Sequence, residues 1–462
     1  MKNMTKGNIT ANIINFSIPL ILGNFLQQLY NVTDTIIVGR LISKEALASV
    51  GASFPIIFLI IAIIFGLTLG ATVLESQFYG ARDIENLKKV NGTLYFFLFT
   101  FSIIVTLLGV IFSKEILVLI GTPYEVLKDA NSYLRINFLG SIFIIGFHGL
   151  SSSLRGVGDS KTPLYLLLIS TVSNIILDIL FILYFNWGIE GAAWATVISE
   201  GISLFLGISI LHKKDSILKL NLKYFKIDVK LLKTILKIGI PTGIQQTLVA
   251  LGFIGLTKIV NNFGKDALTG FTVAGRLDSF AMMPAMSFSA ALSTFTGQNI
   301  GAKKIDRARE GLKKTILISS IYSLIVAITI YFFGTDIIKL FTDDNIVIQI
   351  SHEYLVIVTS FYIAFSLMFA FHGFLRGIGD TFVPMFFTII SLWGLRIPIA
   401  YILSKKIGLI GIWWAIPIAW VVGAFLSFLY YSFADWQKKI SISKIKPKDI
   451  EIIAEIESES IE

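Results

Sequence analysis

Runs of roughly 20 apolar residues recur along nearly the whole 462-residue chain, separated by short stretches of charge, glycine and proline. Each run is long enough to cross a bilayer. Only helices and closed barrels can span lipid, because every backbone N–H and C=O must find a partner there. Barrel strands would alternate apolar and polar residues over short segments, and these runs do not alternate. The expected fold is therefore an all-α polytopic membrane protein. Composition agrees: 55% of residues are hydrophobic and 15% charged, against about a quarter charged in soluble domains.

Turn residues and charges predict twelve spans, at roughly 13–38, 47–76, 90–112, 131–152, 162–185, 190–211, 236–260, 268–298, 313–333, 350–373, 383–403 and 409–431. Lys and Arg concentrate in every second connection: "GARDIENLKK", "RGVGDSK", "HKKDSILKLNLKYFKIDVKLLKTILK", "GAKKIDRAREGLKK" and "RGIGD". Basic loops stay in the cytoplasm, which places both termini inside a cell membrane, and an even number of spans agrees. The net charge of +9 is accounted for by these loops, so no nucleic-acid partner is expected. The N-terminus runs from "MKNMTKGNIT" directly into a span without a small-residue cleavage site, so no removable signal peptide is expected.

Several chemistries are disfavoured. With no cysteine there is no disulfide, thiol nucleophile or cysteine metal site. The four histidines, His148, His212, His352 and His372, are too scattered for a metal or catalytic cluster, and no G-x-x-x-x-G-K-[ST] motif is present to drive work with ATP. Neither an enzyme nor a cofactor is expected.

The chain repeats itself. "LRGVGDSKTP" (154–163) returns as "LRGIGDTFVP" (375–384) after 221 residues, and "QFYGARDIENLKK" (77–89) returns as "QNIGAKKIDRAREGLKK" (298–314) at the same offset. "SIPLILGN" (17–24) aligns with "GIPTGIQQ" (239–246), and "GIEGAAWATVI" (188–198) with "GLIGIWWAIPI" (408–418). Two six-helix bundles of like orientation follow, related by an axis along the membrane normal. The expected organisation is a tail over 1–12, an amino-terminal lobe over 13–211, a basic linker over 212–235, a carboxy-terminal lobe over 236–431 and a charged tail over 432–462. Pro19 and Pro241 occupy equivalent places in spans one and seven, as bends and potential hinges.

"STVSNIILDILFI" (170–182) sets Asn174 and Asp178 one helical turn apart in an otherwise oily span. An ionised Asp at mid-span costs about 2.5–3.5 kcal/mol on insertion scales, so such residues face an interior rather than lipid. Asp178 falls roughly 10 Å below the outer end of its span. Asp34 in "LYNVTDTIIVGR" and Thr196 in "GAAWATVISEG" fall at a similar depth, with Glu200 one turn deeper. Gln28, Asn31 and their neighbours add a polar stripe to span one, for which hydrogen-bonding glue between helices is the plainer role. The repeat supplies a control. Asp34 maps to Leu256, Asn174 to Leu395, Asp178 to Ile399 or Pro398, Thr196 to Ile416 and Glu200 to Trp420. Scaffolding would be kept in both lobes; these oxygens are not.

The second lobe carries its own ionisable residues. Arg396 lies in span eleven, and Arg276 with Asp278 in span eight; two apart on a helix, that pair does not face itself. Ion pairing within the lobe competes with substrate contact as their role. Met282, Met283, Met286 and Phe288 either pack ordinarily or line an adaptable pocket.

The order of "IPLILGNFLQQLYNVTDTIIVGRL", the paired "LRGxGD" loops and "GAAWATVISEG" resembles the multidrug and toxic compound extrusion (MATE) family over about residues 10–435, most closely its prokaryotic DinF-type branch. The resemblance implies a monomeric exporter of small cationic or amphipathic organic compounds, exchanging them for Na⁺ or H⁺ by rocker-switch alternating access. In that branch the coupling site is an Asp on span one, an Asn and an Asp on span five and a Thr on span six. Here those are Asp34, Asn174, Asp178 and Thr196, the set already reached from depth. Two carboxylates, an amide and a hydroxyl suit either Na⁺ or a shared proton. The acids that another branch uses at mid-depth in spans seven and ten are missing. The main rival is a lipid-linked oligosaccharide flippase of the same superfamily, which the cationic Arg276 and Arg396 keep in view.

Overall fold

The structure, a computed structural model, describes residues 2–213 and 216–441. Most of the charged tail expected over 432–462, and residues 214–215 of the linker, lie outside the described residues. Within them every regular element is helical. The first half of the chain forms α1 (Ile9–Leu41), α2 (Lys44–Gly80), α3 (Ile84–Leu119), α4 (Tyr124–Leu139), α5 (Ser141–Gly156), α6 (Lys161–Ile179) and α7 (Gly188–Lys213). The second forms α8 (Val229–Asn261), α9 (Lys265–Gly301), α10 (Ile305–Lys339), α11 (Asn345–Thr359), α12 (Tyr362–Ile378), α13 (Phe382–Ile389), α14 (Ile397–Ile407) and α15 (Leu409–Phe433).

Twelve spans emerge from these helices. Nine helical stretches among the described residues are long and apolar enough to cross a bilayer, and the bent pairs α4–α5 and α11–α12 make eleven. The twelfth, α9, has 37 residues but a sequence diluted by Arg276, Asp278 and many Ser and Thr. Side-chain caps open several helices: Ser43 accepts from the Ala46 N–H, Asp83 from Asn86, and Asp344 from Ile346 and Val347.

The fourth and tenth spans are each broken, by 53° and 51° respectively. No proline marks either break. Gly140, at the first, lies so close to α7 that a Cβ there would come within 2.3 Å of the Val197 side chain. The fifth and eleventh spans carry π-helical segments, over Leu180–Tyr184 and Ile390–Arg396; such bulges are common beside functional residues. The twin "LRGxGD" loops turn at equivalent glycines, Gly158 (φ 82°) and Gly379 (φ 94°), in a left-handed conformation that a side chain would strain.

The described residues divide into two compact units, one within 19–240 and the other made of 3–18 with 241–441. Both boundaries fall inside helices, at Pro19 in α1 and Pro241 in α8, rather than in the loops that bound the lobes in sequence. The start of α8 docks on α2 in the first unit. A Cβ on Gly70 would lie 2.2 Å from the Ile235 carbonyl oxygen, and one on Gly239 would lie 2.6 Å from that of Gly66, so only glycine permits this approach. The basic linker folds onto α3: Asn91 donates to the Leu218 carbonyl, Thr93 to that of Lys226, and the Phe225 ring packs on Phe96 and Phe99. In the second unit the amino-terminal segment is held by α9 and α10. The Gln298 side chain accepts from the Met4 N–H, and Arg307 donates to the carbonyls of Met4, Lys6 and Gly7.

Candidate functional site

Three helices of the first unit carry the residues singled out by depth. Asn174 and Asp178 sit on the last two turns of α6, directly before the π-helical segment, and are 1% and 0% exposed. Asp34, on α1, is half-buried, and its charge reaches Asp178. Thr196, on α7, accepts a hydrogen bond of 3.2 Å from the Tyr30 hydroxyl of α1, so α1 is tied to α7 at this level. Tyr133, buried on α4, lies within electrostatic reach of both acids, and Tyr30 within reach of Asp34 and Glu200.

The polar atoms here are largely unsatisfied. Both side-chain atoms of Asn174, both oxygens of Asp178, Asp34 Oδ1 and Glu200 Oε2 are buried with no hydrogen-bond partner. A buried polar group costs free energy unless it is paired, and a buried charge costs more. Such a concentration of oxygens without partners fits a small hard cation or a proton, either of which would satisfy and neutralise them.

The equivalent region of the second unit is filled with hydrocarbon and indole. Leu256, Ile416 and Trp420, which stand where Asp34, Thr196 and Glu200 stand in the first, are buried in one continuous apolar cluster, with Ile399 packed against it. The same backbone plan is thus stable without the polar atoms.

The remaining candidates separate. Asn31 is exposed and Gln28 half-buried on α1. On α9, Arg276 is exposed whereas Asp278 is buried and accepts from the hydroxyls of Tyr354 on α11 (3.1 Å) and Tyr362 on α12. Arg396 lies close enough for its charge to reach Asp278. Asp278 therefore finds its partners on other helices, as the spacing required, and Arg276 is not among them. Met286 is exposed and Phe288 buried, so they do not share a surface.

Two residues at the site carried no flag in the sequence reading. Tyr30 and Tyr133 pass for ordinary apolar positions, since tyrosine is common in membrane spans. The repeat held a clue: Tyr133 in "SYLRI" returns 221 residues later as Tyr354 in "EYLVI", and each stands beside a buried acid.

The MatE family model matches residues 19–180 and again 241–402. The chain belongs to the MatE family. The two matches begin at the prolines where the compact units divide, so the MatE repeat coincides with the structural one. The probable multidrug resistance protein YoeA of Bacillus subtilis is 34% identical over 445 residues, covering 94% of this chain and 96% of that protein. An outward-facing multidrug resistance MATE family transporter of the MOP superfamily aligns with a TM-score of 0.87 at 25% identity, over 96% of this chain and 99% of the other. A MOP superfamily transporter from Pyrococcus furiosus, described as having a binding pocket of reversed polarity that suggests a different function, aligns with a TM-score of 0.86 at 25% identity over the same shares. As in these MatE relatives, the chain is a twelve-span membrane protein built as two bundles.

Proposed function

We propose that this MatE protein exports small cationic or amphipathic organic compounds across the cell membrane in exchange for Na⁺ or H⁺. The single observation behind this reading is the set of unpartnered buried oxygens on Asp34, Asn174 and Asp178, present in one bundle and replaced by an apolar core in its twin. The names of the relatives, multidrug resistance proteins, favour drug export over oligosaccharide flipping.

The ion would be ligated by Asp34, Asn174, Asp178 and the Thr196 hydroxyl, with Tyr30 holding that hydroxyl in place. Binding neutralises the two carboxylates and removes the cost of burying them unpaired. Release leaves two like charges in a low-dielectric interior, which favours a different packing of α1 against α6 and α7. Ion and drug then favour different members of one pair of states, and exchange follows from that difference through rocker-switch alternating access. The polar stripe of α1, with Asn31 exposed and Gln28 half-buried, gives the drug a polar path. Both termini lie in the cytoplasm, where the basic loops hold them, and the transporter acts as a monomer.

Reconstituted protein tests the reading. Uptake of a fluorescent organic cation into proteoliposomes is measured under separately imposed Na⁺ and pH gradients, for wild type, Asp34→Asn and Asp178→Asn. Wild type responds to one gradient or both, and each variant loses that response while eluting as a folded protein. Gradient-driven transport by both variants at the wild-type rate would refute the coupling site.

A further inference from the structure

The transport scheme gives no role to Glu75, a buried acid of the first unit. Glu75 lies on α2, five residues before the helix end at Gly80, and is wholly shielded from solvent. This is the opposite end of the bundle from Asp34 and Asp178, since α2 runs antiparallel to α1. Its Oε1 accepts a hydrogen bond of 2.7 Å from the Ser153 hydroxyl of α5, while Oε2 has no partner. A Cβ on Gly156 would lie 2.9 Å from that Oε2, so the glycine makes room for the carboxyl group. The buried Tyr95 hydroxyl of α3 lies within reach of Ser153 and within electrostatic reach of Glu75.

No cation balances Glu75. Of the ionisable groups on the helices packed around it, Tyr95 interacts with it, whereas on α5 the charge of Arg155 acts on His148; among the described residues no lysine of α3, α4 or α8 reaches it. A carboxylate buried in this way is costly unless it takes up a proton. Ser153 already donates to Glu75, and its hydroxyl, like that of Tyr95 beside it, can donate to a carboxylate or accept from a neutral acid. Both protonation states therefore have local support. The twin bundle has none of the three: the repeat puts Thr296, Phe374 and Ile316 where Glu75, Ser153 and Tyr95 stand. The bundle fold does not require them.

We infer that Glu75 is a second, reversible proton site of the amino-terminal bundle, held by Ser153 and Tyr95 and loaded independently of the Asp34–Asp178 pair. Its part in transport, which rests on the export reading, is to take up or release a proton as the bundle changes state. The site itself does not depend on that reading.

Infrared spectroscopy of the reconstituted protein tests it. In an Asp34→Asn/Asp178→Asn background the carbonyl-stretch band of a protonated carboxyl group is followed as bulk pH is raised, with and without Glu75→Gln. A band that bleaches reversibly and is abolished by Glu75→Gln is expected. Ser153→Ala, which removes the bonded donor to the ionised form, should move the bleaching to higher pH, and this variant carries the test if Glu75→Gln fails to fold. A spectrum with no Glu75 band, or a band that bulk pH never bleaches, overturns the inference. In otherwise wild-type protein, addition of ethidium should alter the band. If the band titrates with pH but ethidium neither binds nor alters it, the proton site stands and the export reading is what fails.

Discussion

Asn174 and Asp178 spend stability to remain unpartnered. Each buried polar atom left without a hydrogen bond costs about 1–3 kcal/mol, and α6 presents four such atoms. Replacement by leucine, which has the same branched heavy-atom skeleton, should therefore stabilise the bundle. Asp178→Leu is expected to raise the unfolding temperature in detergent while abolishing ion-driven uptake, the trade common at functional sites. A lower unfolding temperature would mean that the carboxylate is structural. Asp278 in the other bundle should behave in the opposite way. It satisfies two tyrosine hydroxyls, so Asp278→Leu leaves both orphaned and should cost about 2–4 kcal/mol in an unfolding titration. Tyr30→Phe removes one hydrogen bond to Thr196, worth about 1 kcal/mol. Ion-dependence curves should then shift by roughly fivefold to higher concentration, with the maximal rate preserved.

At the level of helices, much of the plan was legible. Twenty-residue apolar runs predict spans because lipid leaves the backbone no alternative, and each expected span coincides with a helix or a broken pair of helices. What escaped were features set by neighbours rather than by the local pattern. The breaks at Gly140 and at Ser360–Phe361 involve no proline; the first is set by the approach of Val197, and beside the second Phe361 packs on Trp414. The π-helical segments have no periodicity of their own to announce them. Glu75 stood at the edge of a predicted span, where a charge passes for an interfacial residue, but α2 continues to Gly80 and buries it. The docking of α8 on α2 is the most demanding contact of this kind. Gly70→Ala would force the two backbones apart, with overpacking worth about 1–3 kcal/mol, and reduced thermal stability of the purified protein should report it.

For the molecule as a whole, the repeat was the strongest guide, because it yielded both the two-bundle plan and the contrast between them. A site that differs between twins is recognisable without any relative to compare. Orientation rests on the basic loops alone and is directly measurable. The chain contains no cysteine, so a single introduced thiol has no background. Asn186→Cys, in the turn between α6 and α7, should react with an impermeant maleimide in intact cells; Lys223→Cys, in the linker, should react only after permeabilisation. The reverse pattern would invert the assigned topology.

The helix ends exchanged at Pro19 and Pro241 bear on how such a protein can be divided. A cut in the linker separates two polypeptides that are equal in sequence and incomplete in structure. Each would carry a strand of helix belonging to the other and lack one of its own: Asn3–Ile18 on one side, Val229–Ile240 on the other. Neither fragment is a free-standing lobe, so gene halves produced separately should be degraded and the same halves produced together should rescue one another. Duplication of an ancestral six-helix chain would thus have been made hard to undo, because each copy now finishes its sibling.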